Sequence, residues 1–303
     1  MKRIGNLYEK IISLDNLRLA DEKARRGKLR SYGVLLHDKN REANILALHE
    51  TLKNHTFKNS EYSTFTIYEP KERIIFRLPY YPDRILHHAI MNILEPIWVS
   101  VFTKDTYSCI KGRGIHGAMR NVKRAIKDRE NARYCLKIDI RKFYPSIDHD
   151  VLKTIIRRKI KCKDTLALLD TIIDSTDGVP IGNYLSQYFA NLMLAYFDHW
   201  IKEEKRVRNY FRYADDMVFL ASTKEELHIL LADIKKYLAA LKLTLKGNEQ
   251  IFPIAENRAD KHGRGLDFVG FVFYHNQTLM RKSIKQNFCR MACLLYTSPS
   301  PRD

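Results

Sequence analysis

Two adjacent aspartates, Asp215 and Asp216, stand between apolar runs in RNYFRYADDMVFLA, residues 208–221, and a third, Asp139, closes the run YCLKIDI at 134–140. Carboxylates side by side repel, and each raises the proton affinity of the other. Water around an exposed turn would screen them; a cation held between them would also remove the problem. Asp139 follows Cys135, Leu136 and Ile138, and a carboxylate so flanked costs free energy unless something compensates it. Three acidic side chains converging on hard cations would meet the demand of two-metal phosphoryl transfer. In that chemistry, ions about 3.5–4 Å apart activate an attacking oxygen and stabilise a leaving one.

The elements that must position these residues can be read from the pattern. YFRYADDMVFLA has the form strand, tight turn, strand, with the paired aspartates at the tip. Residues 134–140 read as a buried strand ending in Asp139; FYPSIDHD then turns the chain, and Ser146 or Asp148 can cap the following helix. Upstream, YSTFTIYEPKERIIFRLP at 62–79 alternates β-formers about a Glu-Pro-Lys-Glu turn, predicting a hairpin whose second strand carries Arg73 and Arg77. Ile85, Ala89 and Ile93 fall at helical spacing, with Pro96 near the end. Residues 116–127 predict a helix with Arg120, Lys123, Arg124 and Lys127 on one face and Met119, Val122 and Ile126 on the other. The stripe Leu185, Phe189, Leu192, Met193, Tyr196, Phe197 and Trp200 reads as helical core. The opening, 7–30, is helical and becomes basic at Lys23, Arg25, Arg26, Lys28 and Arg30.

The chain has 303 residues, 45% of them hydrophobic, enough for a real core and unlike a disordered tail. Its 53 Lys and Arg against 35 Asp and Glu leave a net charge of +18, a balance suited to nucleic acid or an anionic surface. The five cysteines are scattered without a CxxC or zinc-type spacing, which points to a reducing compartment rather than a disulfide framework. No apolar stretch approaches the roughly 18 residues of a membrane span, and the start lacks the apolar region of a signal peptide, so the expected location is cytoplasmic, with no membrane partner. The tail CLLYTSPSPRD, 293–303, resembles the translation of a sequencing-library adapter; on that reading the natural sequence is interrupted near Ala292.

The ordered motifs resemble those of reverse transcriptases, in particular the bacterial and phage lineage of group II intron, retron and diversity-generating retroelement enzymes. RLPYYPDRILHHAI is similar to the fingers motif and KGRGIHGA to the template-side motif after it. KIDIRKFYPSIDHDVL resembles palm motif A, GVPIGNYLSQYFANLMLAYFDHWI motif B, RYADDMVFLA motif C, LTLKGNEQIFPI motif D and GLDFVGFVF the primer-grip motif. Single tetrapeptides of the YADD type are weak signals; seven blocks in order are strong.

The resemblance implies roles. Asp139, Asp215 and Asp216 would hold two magnesium ions, with the Ile140 carbonyl as a further ligand. Tyr144 would exclude a ribose 2′-hydroxyl, and Arg73 would contact the incoming triphosphate, with Arg77 and Lys71 as alternatives. Ile181, Gly182 and Gln187 of motif B would line the nucleotide site. Most relatives carry Gln where Ile181 stands; the I-G-N-x-x-S-Q form is similar to diversity-generating retroelement enzymes and to some phage-defence enzymes. Lys246 is the candidate proton donor of motif D, in a shifted register. Phe268 and Gly270 would support the primer, and Arg120, Lys123, Arg124 and Lys127 the nucleic-acid backbone, as would basic residues at 23–30 and 153–163.

The implied architecture is an α+β right-hand polymerase. Its parts would be an N-terminal region with fingers at 1–132, a palm with inserted fingers helices at 133–275 and the start of a truncated thumb at 276–292. Its partners would be an RNA template, a DNA or RNA primer, deoxynucleotides and possible accessory proteins. Two further readings stay open: an RNA-dependent RNA polymerase using the same metals, and a non-enzymatic nucleic-acid-binding protein that would not need all three carboxylates.

Overall fold

The structure, a computed structural model, describes residues 3–68 and 72–297. The turn residues Glu69, Pro70 and Lys71 and the tail 298–303 lie outside the described residues. In chain order the helices are α1 (Tyr8–Ile12), α2 (Leu14–Ala24), α3 (Tyr32–Asp38) and α4 (Arg41–Lys53), then the hairpin β1 (Ser63–Ile67) and β2 (Arg73–Arg77), then α5 (Ile85–Val99) and α6 (Ile115–Ile126). Next come β3 (Tyr134–Asp139), α7 (His149–Arg157), α8 (Lys163–Ile173), α9 (Tyr184–Met193), α10 (Ala195–His199), β4 (Asn209–Tyr213), β5 (Asp216–Ala221) and α11 (Lys224–Ala240). The chain closes with β6 (Gln250–Pro253), β7 (Leu266–Phe268), β8 (Phe271–Phe273), β9 (Thr278–Met280) and α12 (Lys282–Thr297).

Two compact units share this chain discontinuously: residues 3–103, 142–198 and 240–243 form one, and 104–141, 199–239 and 244–297 the other. The first is mainly helical. Ile85, Leu86, Ile90, Leu94 and Trp98 of α5 are fully buried, a fuller apolar face than the three positions expected, because α5 is packed by α1, α2 and α9. Asn16 pins α2 to α5 by donating from Nδ2 to the carbonyls of Ile11 and Ala89, at 2.8 and 3.0 Å. Buried Asp21 gathers Arg25, Arg41 and the Tyr80 hydroxyl. The β1–β2 hairpin forms as expected, with Ile67 opposite Arg73. Asp148 is the residue that caps α7, accepting from the Val151 amide at 3.0 Å, while Ser146 lies in the preceding short turn.

The second unit is built on a four-stranded antiparallel sheet in the order β4-β5-β3-β6. Strands β3 and β5 alternate poorly between faces: Cys135, Leu136 and Ile138, and Met217 through Leu220, are all buried, as befits central strands covered on both sides. A helix, α6, packs Ala118, Val122 and Ile126 into the same core as Cys135, Phe211, Val218 and Phe268. The small sheet β7-β8-β9 joins that core through Leu266, Phe268 and Phe273. Among the described residues no helix is long and apolar enough to cross a membrane.

Candidate active site

Asp139 and Asp216 are register partners across β3 and β5, and Asp216 also faces Tyr213 across the two-residue turn that joins β4 to β5. Like charges directly opposite each other in a sheet destabilise it, so the pairing needs a compensating charge. The turn is held from below. Arg212, fully buried, donates to the carbonyl of Ala214 at 3.0 Å. Ala214 itself takes a left-handed backbone at φ +56, a conformation that non-glycine residues adopt at a cost.

Burial and mutual repulsion both act on these carboxyls. Burial, followed by the charge of Asp139, pushes the Asp215 carboxyl up to about 6. Burial also raises Asp216, with Lys137 acting against the shift and Asp139 and Asp267 adding to it. Oδ1 of Asp216 is buried with no hydrogen-bond partner among the described residues, a condition that natural interiors rarely tolerate without a further ligand. Two lysines stand against this cluster. Lys246 reaches Oδ2 of Asp139 at 3.2 Å while its amide donates to the Asp139 carbonyl at 3.0 Å. Lys137 lies 3.4 Å from Oδ2 of Asp216. Among the described residues no three His, Cys, Asp or Glu side chains are gathered in ready metal-ligating geometry. The oxygen-only donors nonetheless suit a hard cation, and the orphaned Asp216 oxygen fits one. Asp139, Asp215, Asp216 and the Ile140 carbonyl are the groups that would hold it.

The other expected nucleotide-site residues come together in the first unit. The Phe76 amide of β2 donates to the Ile181 carbonyl at 2.7 Å, fastening the hairpin that bears Arg73 and Arg77 to the segment before α9. The Val179 amide donates to the Tyr144 carbonyl at 2.9 Å, joining that segment to the turn before α7. Gly182 lies where a Cβ would meet the Phe76 carbonyl oxygen at 2.3 Å. Gly182 and Gln187 also line a cavity of about 1200 Å³ with Lys28, Arg77 and Arg84. Glu61 is the acid among its lining residues. Burial, with Arg84 and Arg77 nearby, holds the Lys28 amine below its ordinary value. Nε of Arg84 and Nε2 of His87 are buried without hydrogen-bond partners among the described residues. Exposed Tyr32 and Phe65 add aromatic surface. Basic groups thus outnumber acidic ones in this cavity, beside open aromatic rings. Lys28 and Arg77 are visible in the sequence as candidate cations, whereas Arg84 and His87 read there as part of an apolar helix.

Arg120, Lys123, Arg124 and Lys127 are all exposed on α6, and none is ion-paired among the described residues. Two expectations need correction. The Phe268 side chain has no exposed surface and is packed in the core, so primer support from this motif would have to come from main chain such as the β7–β8 turn, where Gly270 sits. In the basic stretch 153–163, Lys153 is bonded to Asp174 at 2.6 Å and Arg157 to Asp170, while Arg158 stacks over Tyr196 at 4.5 Å. Those three charges are engaged within the chain, whereas Lys159, Lys161 and Lys163 of the same stretch form no ion pair among the described residues. Arg25 is likewise engaged by Asp21 and Asp38.

Comparison with known proteins places the chain in a family. Residues 64–248 match the model of the reverse transcriptase (RNA-dependent DNA polymerase) family, and the chain belongs to that family. It is 24% identical over 266 residues to Protein YkfC of Escherichia coli (strain K12), covering 72% of this chain and 67% of that one. It is 25% identical to the Retron Ec73 reverse transcriptase of Escherichia coli, covering 62% and 59%. It is 27% identical to the Group II intron-encoded protein LtrA of Lactococcus lactis subsp. cremoris, covering 42% and 23%. The fold resembles apo telomerase of Candida tropicalis truncated from its C-terminal domain, with a TM-score of 0.52 at 13% identity over 78% of this chain and 59% of that one. The mixed helical and antiparallel architecture is that of polymerase fingers and palm.

Proposed function

We propose that this chain is an RNA-directed DNA polymerase that extends a primer with deoxynucleotides on an RNA template. The observation that carries the reading is the pairing of Asp139 with Asp216 across two central strands, with Asp215 in the adjoining turn and one buried Asp216 oxygen unsatisfied. These carboxylates and the Ile140 carbonyl would hold two magnesium ions. When bound, the metal lowers the proton affinity of a primer 3′-hydroxyl and neutralises the departing pyrophosphate. The chain's own residues do the rest. Arg73 on β2 orients the triphosphate by charge-assisted hydrogen bonds. Tyr144 packs against the sugar and rejects a 2′-hydroxyl. Gly182 lets the backbones of motif B and the hairpin meet. The template runs through the cationic cavity of Lys28, Arg77 and Arg84, and the α6 face holds backbone phosphates. The protein acts in the cytoplasm, with the fingers, palm and thumb divisions set out above.

The I-G-N-x-x-S-Q form of motif B favours a retroelement with mutagenic copying, because Ile181 can pack on the nascent pair but cannot donate a hydrogen bond to it. A phage-defence or group II intron setting is the alternative, and genes adjoining this one would separate them. Single-nucleotide incorporation on an RNA template tests the polymerase reading: the native chain adds deoxynucleotides and largely refuses ribonucleotides, whereas Tyr144→Ala admits both. Preferential ribonucleotide addition by the native chain would indicate an RNA polymerase instead. An Ile181→Gln variant whose misincorporation equals that of the native chain would remove the mutagenic reading alone.

A further inference from the structure

Strand geometry places residues two apart on one face, so Lys137 of β3 stands beside Asp139 and reaches the same cluster. Its ammonium does two things at once. It donates to the Asp267 carbonyl of β7 at 2.6 Å and lies 3.4 Å from Oδ2 of Asp216. The connection continues. The Asp267 carboxylate accepts from Nε of Arg281 at 2.8 Å, the Arg281 amide donates to the Gly270 carbonyl at 2.9 Å, and α12 begins at the next residue. A line of bonds therefore runs from a site carboxylate, through one lysine, to the β7–β8 hairpin and the base of α12. Lys246 differs: its ammonium bonds Asp139 and is 42% exposed, against 25% for Lys137, which is anchored at a second point.

We propose that Lys137 is a positioning residue that fastens Asp216 to the β7–β8 hairpin and supplies the fixed positive charge against which the divalent ions must bind. The inference rests on Asp216 being a metal ligand. One ammonium then sets both the place of a metal-binding carboxylate and the place of the hairpin on which the primer end would rest, so a shift of the hairpin is transmitted to the metal site. Lys246 yields its place when the metal binds; Lys137, held by the Asp267 carbonyl, remains and lowers the cation affinity of the cluster.

The test uses the full chain with Lys137→Gln, Lys137→Met and Lys137→Arg. Glutamine keeps a donor for the Asp267 carbonyl and removes the charge; methionine removes both. Magnesium binding is read by titration calorimetry and by thermal melting with and without the ion. Lys137→Gln should bind magnesium about tenfold more tightly, the order expected on removing one unit charge a few ångströms from a half-exposed site. Its magnesium-induced rise in melting temperature should exceed that of the native chain. Lys137→Met should do the same and in addition lose hydrogen-exchange protection at 266–273, and Lys137→Arg should stay near native. Equal magnesium affinity and equal melting rise in Lys137→Gln and the native chain would overturn the proposal, since a lysine that merely packs lowers melting alike with and without metal. Should the native chain bind no magnesium that Asp215→Ala/Asp216→Ala abolishes, the metal-site reading itself fails, and the inference with it.

Discussion

Replacing Gly182 by alanine should damage nucleotide use more than its single methyl group suggests. Gly182 adopts φ +123, and an added Cβ would lie 2.3 Å from the Phe76 carbonyl oxygen and 3.0 Å from Cγ2 of Ile75. The backbone conformation alone costs an L-residue about 1–3 kcal/mol. The methyl group must also push β2 away by about 1 Å to reach an ordinary contact, which strains the 2.7 Å bond from the Phe76 amide to the Ile181 carbonyl, worth about 1 kcal/mol. Together these give about 2–4 kcal/mol of destabilisation. A displacement of about 1 Å in a positioning element can lower turnover by roughly a hundredfold, and here the displaced hairpin bears Arg73 and Arg77. Urea denaturation and single-nucleotide kcat/KM should therefore both fall in Gly182→Ala. Gly112 provides the control: it has φ +79 but nothing within 4 Å of where an added methyl group would sit, so Gly112→Ala should show only the backbone cost and near-native kcat/KM. If Gly182→Ala were within about 0.5 kcal/mol of native, the range of an inert surface substitution, with kcat/KM also unchanged, the close approach of motif B and the hairpin would be refuted.

Other consequences concern charge. Burial depresses His87 to about 3 and His88 to about 4; both stay neutral in the folded chain while the unfolded chain protonates near 6.5. Their contribution is thus present above pH 6.5 and lost as pH falls toward 4 and 3, about 2 kcal/mol each between pH 7 and 5. Asp215, raised to about 6, works the other way over that interval and returns about 1 kcal/mol; metal-free stability should drop by about 3 kcal/mol in denaturant titrations at the two pH values, and a flat profile would contradict the burial of the histidine pair. For the same reason Asp215→Asn should make the metal-free protein more stable at pH 7 by about 3 kcal/mol while abolishing magnesium binding, measured by melting in chelator and in magnesium. Arg84→Met should weaken single-stranded RNA binding and reduce the slope of log affinity against log salt by about 0.7, the share of one phosphate contact on a single strand; fluorescence anisotropy at several salt concentrations would detect an unchanged slope.

Much of this site was legible because its parts are local. The apolar runs about Asp215 and Asp216, the run ending in Asp139 and the split faces of α6 each follow from the pattern within one element, and each element formed where that pattern put it. What stayed hidden depends on partners far along the chain. Lys137 stands two positions before Asp139, which places it on the same strand face, but nothing local announces that it meets Asp267. Phe268 is named through its motif's resemblance to the primer grip, and that resemblance says nothing of the side chain's burial in the second unit's core. Lys153 and Arg157 looked like free charge because Asp174 and Asp170 follow only on the next helix. Arg84 and His87 sat inside an apolar helical pattern, and only the packing of α3 and the β1–β2 hairpin around them reveals the cavity they line.

Extension of a labelled DNA primer on an RNA template, with magnesium and deoxynucleotides, tests the central claim most directly when the native chain is compared with Asp139→Asn, Asp215→Asn and Asp216→Asn. The account predicts template-directed extension by the native chain and loss in each variant, with RNA binding retained. Extension that survives in all three would contradict the assignment of these carboxylates as the metal-holding site.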